Sequence, residues 1–141
     1  MAQILKLSLP RAITLALARK PSLTDQSLPD LSPVTSQLAH LTPQPGLKEC
    51  WKTLKDAEAN VLVITNGAKK TTQGYIDQAG LEALVDDVRS CDEVGYAKPF
   101  AQVYEGAHKA CEQVEGKNGE KAERWFVAAH LWDLAAAKKA G

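Results

Sequence analysis

The sequence predicts an open α/β fold, in which parallel strands alternate with helices behind a shorter helical segment. Three observations predict it. Asn60-Val61-Leu62-Val63-Ile64-Thr65 is an unbroken apolar run that stops at Asn66-Gly67, as expected of a strand covered on both faces. Trp125-Phe126-Val127-Ala128-Ala129 is a second run of the same kind. Around these runs the apolar period lengthens to that of a helix. Strand and helix therefore alternate, as parallel pairing through crossovers requires.

The elements follow in chain order. Ser8 is placed to cap a first helix with Pro10 in its first turn. Leu9, Ala12, Ile13, Ala16 and Leu17 form its buried stripe, and Pro21 helps to stop it. Residues 29–33 read as loop and Val34–Leu41 as a short helix. Thr42-Pro43-Gln44-Pro45-Gly46 reads as a hinge, dividing the chain into 1–42 and 43–141. Leu47–Ala57 is a helix with Leu47, Trp51 and Leu54 (or Cys50) on one face. The strand Val61–Thr65 comes next, then a helix over Lys69–Ala79 that stops at Gly80. Asp87–Cys91 is a short strand. Phe100–Val114 is an amphipathic helix with Phe100, Val103, Tyr104, Ala107, Cys111 and Val114 in register. The run Trp125–Ala129 is the next strand, and Leu131–Ala140 is a helix ended by Gly141.

Composition narrows the function classes. At 141 residues the chain is about one domain long. With 45% apolar and 24% charged residues it is not of a disordered type. Lys+Arg and Asp+Glu both number 17, so no basic excess points to nucleic acid, and no run of 18 apolar residues points to a membrane. Prolines cluster early, six of seven at or before Pro45, and residues 1–55 carry 7 basic against 3 acidic side chains. Cys50, Cys91 and Cys111 are far apart and form no C-x-x-C pair. His40, His108 and His130 are equally scattered. The expectation is free thiols in a reducing cytoplasm, with no metal and no cofactor. Met1–Lys20 has four basic and no acidic residues, so a mitochondrial presequence is the minor alternative.

In open α/β sheets, ligands bind beyond the carboxyl ends of the strands. Thr65-Asn66-Gly67, Lys98-Pro99 and His130-Leu131-Trp132-Asp133 all fall there. Singly, each has an ordinary structural reading: a turn that needs glycine, a solvated loop lysine, an acid near a helix start. Their order on successive strand ends makes them a candidate site.

These segments resemble the haloacid dehalogenase superfamily, and within it the 2-haloacid dehalogenase-like branch. The matching text is Leu41-Thr42-Pro43-Gln44-Pro45-Gly46, Val63-Ile64-Thr65-Asn66-Gly67, Ala97-Lys98-Pro99 with Tyr104 six residues after the lysine, and Phe126-Val127-Ala128-Ala129-His130-Leu131-Trp132-Asp133. Leu7–Leu41 is similar to the end of that family's helical cap. The resemblance implies a partial Rossmann-like (HAD-like) three-layer sandwich over 43–141, preceded by a helical cap remnant over 1–42.

It also implies roles. An aspartate nucleophile displaces a halide to give an ester that water hydrolyses. Thr65 and Asn66 would bind the substrate carboxylate or hold the reacting one. Lys98 would neutralise the gathered carboxylates. Tyr104 would orient Lys98 or the substrate, and Asp133 would position Lys98 and the hydrolytic water. The chain departs from the pattern at Ala128 and His130, where dehalogenases tend to carry serine and asparagine. His130 is either a base or a packed loop residue.

A larger departure is the nucleophile motif, Asp-x-x-Gly-Thr after a first strand. Before residue 60 the aspartates are Asp25, Asp30 and Asp56, and no Gly-Thr pair follows any of them. Gln3–Leu7 could fill that strand's place, or the flanking strands could close on each other. The expectation is a haloacid dehalogenase-like hydrolase of incomplete chain, inactive alone. Its partner would be a small carboxylate, and a homodimer is compatible. A non-catalytic binding protein of the same fold is the alternative. A magnesium-dependent phosphatase fits less well, because only Asp133 remains of the two or three acids a metal needs.

Overall fold

The computed structural model describes residues 2–19, 29–37, 40–115 and 123–141, with the side chains of 2–6 and 114–115 left aside. It falls into two compact units, Met1–Pro43 and Gln44–Gly141. Pro21, expected to stop the first helix, and Asp25 lie outside the described residues.

The first unit holds α1 (Ala2–Ala18) and α2 (Ser32–Gln37). α1 starts six residues before the cap expected at Ser8, and Pro10 lies inside it. The strong helix formers Ala2, Leu5, Lys6 and Leu7 carry the helix through a proline whose usual interior cost is about 3 kcal/mol. Thr14 Oγ1 donates to the Pro10 carbonyl at 3.0 Å. Because Gln3–Leu7 is helical, it is not a strand. Leu9, Ile13 and Leu17 are half-buried as the stripe requires, whereas Ala12 and Ala16 are exposed.

The second unit runs α3 (Leu47–Asp56), β1 (Leu62–Thr65), α4 (Lys69–Gln78), a short 3-10 turn (Glu82–Leu84), β2 (Asp87–Ser90), α5 (Cys91–Val94), α6 (Ala101–Glu115) and α7 (Leu131–Ala140). β1 and β2 form a two-stranded parallel sheet in the register Leu62↔Asp87, Val63↔Val88, Ile64↔Arg89 and Thr65↔Ser90. Side chains alternate across a strand, so Val63 and Ile64 face opposite layers. On one side Ile76, Leu81 and Val88 pack with Val63, Leu47 and Trp51. On the other, Cys91, Val103, Tyr104 and Ala137 pack with Ile64, Phe126, Ala136 and Ala140. The sheet is therefore the middle of three layers, with α3 and α4 on one face and α6 and α7 on the other.

Three expectations are corrected. α3 turns Leu47 and Trp51 inward, but Leu54 and Cys50 are exposed. Half-buried Lys55 takes that side of the helix because its ammonium reaches Asp86. Phe100 stands exposed just ahead of α6, and Ala110 joins Val103, Tyr104 and Ala107 on its buried face. The run Trp125–Ala129 is extended but outside the sheet, with Trp125 and Val127 exposed. Among the described residues the strand–helix alternation thus yields two paired strands and not three.

The amino end of the sheet is fixed by one carboxylate. Asp86 accepts from Lys55 Nζ with both oxygens at 2.8 Å, and its Oδ2 takes the Val61 N–H at 2.6 Å. The carboxyl end is fixed by Ser90, whose hydroxyl donates to the Gly67 carbonyl at 2.7 Å and accepts the Asp92 N–H at 3.1 Å. Glu93 returns to accept the Ser90 N–H at 3.1 Å, closing a capping box at α5.

Candidate active site

The carboxyl end of the sheet gathers side chains from four places in the chain. The turn after β1 comes first. Thr65 Oγ1 accepts the Gly67 N–H at 2.9 Å, and a Cβ at Gly67 would come within 3.2 Å of that oxygen and 3.3 Å of Thr72 Oγ1. The crowding leaves little room for a side chain at this position. α5 ends at Gly95 in the left-handed region (φ 75°), which sends the chain on to a cis Lys98-Pro99 peptide.

Asn66 receives that loop. Its Oδ1 accepts the Lys98 N–H at 2.7 Å and the buried Cys91 thiol at 2.8 Å, and its Nδ2 donates to the Lys98 carbonyl at 3.4 Å. The Lys98 backbone is thereby tied to the end of β1 and the start of α5. The lysine side chain goes the other way. Its Nζ donates to Asp133 Oδ2 at 2.8 Å and lies 5.2 Å from the centroid of the Phe126 ring. A cation at that distance from an aromatic face is held by the ring quadrupole as well as by its counter-ion.

Asp133 is bound through both oxygens. The second, Oδ1, accepts from the Tyr104 hydroxyl at 2.6 Å, a charge-assisted bond. It stands in the first turn of α7, where the unpaired N–H groups and helix dipole favour a negative charge. Tyr104 is almost fully buried and packs edge-on against Phe126. Burial, followed by the bond to the Asp133 carboxylate, holds its phenol above the usual tyrosine range, so it remains a donor throughout neutral pH.

The structure thus brings Asn66, Lys98, Tyr104 and Asp133 into one connected network. Thr65 adjoins it through Gly67 but spends its oxygen on the turn. His130 caps α7 on the exposed side and stacks on Trp132, with ring centroids 5.9 Å apart at 12°. Cys91 and Phe126 touch the network although neither is singled out as a site residue by the sequence reading. Phe126 sits four residues before His130 and could have been found as the inward residue of an alternating run. A lone cysteine carries no comparable signal.

Chemically, the site presents a fixed ammonium in a poorly hydrated corner. Lysine has three N–H donors, and among the described residues one is taken, by Asp133. Both oxygens of the carboxylate that holds it have partners, Lys98 on one and Tyr104 on the other. Asp30 and Asp56, the other early aspartates among the described residues, are exposed.

Comparison with known proteins follows this layout. A model of the haloacid dehalogenase-like hydrolase family matches residues 18–141. The chain is 24% identical over 106 residues to (S)-2-haloacid dehalogenase 2 of Pseudomonas sp. (strain CBS-3), covering 75% of this chain and 44% of that protein. It is 29% identical over 106 residues to (S)-2-haloacid dehalogenase 4A of Burkholderia cepacia, covering 75% and 43%. Among solved structures it resembles a dehalogenase captured as an intermediate complex, with TM-score 0.68, 26% identity, and 94% of this chain against 55% of that one. It also resembles the L-2-haloacid dehalogenase of Xanthobacter autotrophicus with chloropropionic acid covalently bound, with TM-score 0.62 and 26% identity, covering 94% and 50%. The chain therefore spans about half the length of the relatives it matches. A three-layer fold, a lysine and an aspartate meeting at its carboxyl rim, and a family match over most of the residues agree: the chain belongs to the haloacid dehalogenase-like hydrolase family.

Proposed function

We propose that this chain carries the cationic half of a hydrolytic site for a small carboxylate bearing a leaving group on the adjacent carbon, in the cytoplasm, and that it does not turn over alone. The observation that carries the reading is the Lys98 ammonium, 2.8 Å from Asp133 with both side chains about 10% exposed. In so dry a setting an ammonium attracts an incoming anion far more strongly than it would in water. Displacement at carbon needs an attacking carboxylate, which forms an ester as halide leaves. Water then cleaves the ester. Lys98 would hold the carboxylates together during both steps, Asp133 and Tyr104 would hold Lys98, and Asn66 would hold its backbone. Losing a nucleophile typically costs on the order of 10⁶ in rate, so Lys98, Asp133, Tyr104 and Asn66 would not by themselves suffice for turnover.

The relatives named for haloacids support the substrate class. Ala128 and His130 favour a second reading, a carboxylate-binding protein of the same fold, since they replace residues that dehalogenases tend to carry. Titration of the chain with 2-chloropropionate, followed by backbone amide shifts and a chloride electrode, tests both readings. The expected result is saturable shifts at residues 66–67, 98 and 133 without chloride release, lost in Lys98→Met. No shifts, or equal shifts in that variant, would overturn the site. Chloride release by the chain alone would overturn its inactivity.

A further inference from the structure

A cavity of about 110 Å³ lies between the sheet and α6, walled by β1, β2, α5 and α6. Its body is apolar, formed by Ile64, Val94, Val103 and Ala107. Among the described residues its lining excludes Asn66, Lys98, Tyr104, Phe126 and Asp133, so it is distinct from the candidate active site.

Two residues shape this space. The first is Arg89. It pairs in register with Ile64, and paired residues of neighbouring parallel strands face the same layer, so the arginine stands on the α6 side of the sheet. Its Nε donates to Asp87 Oδ2 at 2.5 Å, and its side chain is 39% exposed. Among the described residues no hydrogen bond engages its two terminal amino groups. The other polar groups of the wall are occupied. Glu93 accepts Lys69 Nζ at 2.8 Å on one oxygen and the Ser90 N–H at 3.1 Å on the other. Ser90 spends its hydroxyl on Gly67 and Asp92. The second residue is Gly106, in the interior of α6, where glycine disfavours a helix relative to alanine. Packing does not demand it, because a Cβ there would meet only Val94 Cγ2, at 3.9 Å, an ordinary contact. The missing side chain leaves space open instead. An inward arginine on a sheet edge discourages strand pairing, but that task needs neither a cavity beneath it nor a glycine in the wall.

We infer that this cavity is a second binding site, for a short aliphatic monocarboxylate whose carboxylate meets the Arg89 guanidinium and whose hydrocarbon end fills the apolar floor. A guanidinium presents paired N–H groups that match a planar carboxylate. At roughly 30 Å³ for each water-sized group, the cavity takes a body of about four heavy atoms, enough for the hydrocarbon part of butyrate. Phosphate lacks the apolar part, and a neutral molecule leaves the guanidinium unused.

The site does not depend on the chemistry at Lys98, and the test keeps the two apart. Backbone amide shifts of the full chain are followed with butyrate, and with uncharged butyramide as control. Butyrate is expected to give saturable shifts at residues 89, 94, 103 and 106–107, and butyramide to bind at least tenfold more weakly. Arg89→Gln is expected to weaken butyrate binding at least tenfold. Gly106→Leu fills the space and is expected to remove these shifts; Gly106→Ala is expected to raise the melting temperature by a few degrees. No shifts at these residues, equal binding of butyramide, or unchanged binding in Arg89→Gln or Gly106→Leu would overturn the inference. A lower melting temperature in Gly106→Ala would show that the space is filled already and overturn it as well. Arg89→Gln keeps the test decisive if Gly106→Leu does not fold. Shifts at residues 66, 98 and 133 report the other site, so either site can fail without the other.

Discussion

Two lysine–aspartate pairs stand at opposite ends of the same sheet, each with Nζ and oxygen 2.8 Å apart, and they are not equivalent. Lys55 and Asp86, at the amino end, have side chains 27% and 31% exposed; Lys98 and Asp133, at the carboxyl end, are each 10% exposed. The amino-end carboxylate also takes a backbone N–H at the start of the core strand, so its work is architectural. The carboxyl-end carboxylate takes a buried phenol and holds a cation beside an aromatic face. Identical contact distances therefore say little about worth. The degree of desolvation and the remaining partners separate a strut from a site.

The largest difference is expected on removing one partner. Asp133→Ala leaves a buried ammonium without its counter-ion and a buried hydroxyl without its acceptor, and is expected to cost about 3–5 kcal/mol in urea unfolding. Replacing the group together, as Lys98→Met, Tyr104→Phe and Asp133→Leu, is expected to recover most of that loss. Buried ion pairs often contribute little net stability relative to well-packed apolar groups. Recovery would place the value of the pair in function. A triple variant as unstable as Asp133→Ala would refute that division.

Tyr104 sharpens the contrast through pH. Its folded phenol is held above the usual value by burial and then by Asp133, so the folded state retains the proton more tightly than the unfolded chain does. Stability from this source is fully present below pH of about 10, the ordinary tyrosine value, and is lost as pH rises from there toward the folded value. Tyr104→Phe is expected to cost about 1.5–3 kcal/mol at neutral pH, as for a hydrogen bond to a charged group. The gap between the two proteins is expected to narrow above pH 10. A gap that stays constant in thermal melts from pH 8 to 11 would show that the phenol's ionisation is not linked to folding.

Much of this arrangement is legible in the sequence because it is local. β1 follows from a short apolar run, α4 and α7 from period and end signals, Lys98 and Asp133 from their places at strand ends, and Tyr104 from the family resemblance. Trp125–Ala129 shows the limit. An apolar run reports what a segment would bury if a neighbour were present, and here the inward half of the pattern is satisfied by the core and the outward half is not. The start of α1 is misplaced for a related reason: capping rules favour Ser8, but six good helix-forming positions before it override one proline. The resemblance implies that Asn66 binds the substrate carboxylate or holds the reacting one; in the structure its amide ties the Lys98 backbone and Cys91, contacts between residues 25 and 32 positions apart that no local pattern encodes.

The smallest expected effect belongs to the exposed pair, and it tests the comparison from the other side. Lys55→Met removes an ion pair open to water, and is expected to cost only about 0.2–1 kcal/mol. Asp86→Ala removes the same pair and also the acceptor of the Val61 N–H, so it is expected to cost about 1 kcal/mol more. Salt distinguishes the two contributions, because a Debye length of roughly 3 Å at 1 M screens exposed charges but not a backbone hydrogen bond. Between low salt and 1 M sodium chloride, the Lys55→Met deficit should largely disappear, the Asp86→Ala deficit should shrink only by that amount, and the Asp133→Ala deficit should hardly change. If all three deficits decline together, the difference in burial has no energetic consequence, and the two ends of the sheet are electrostatically alike after all.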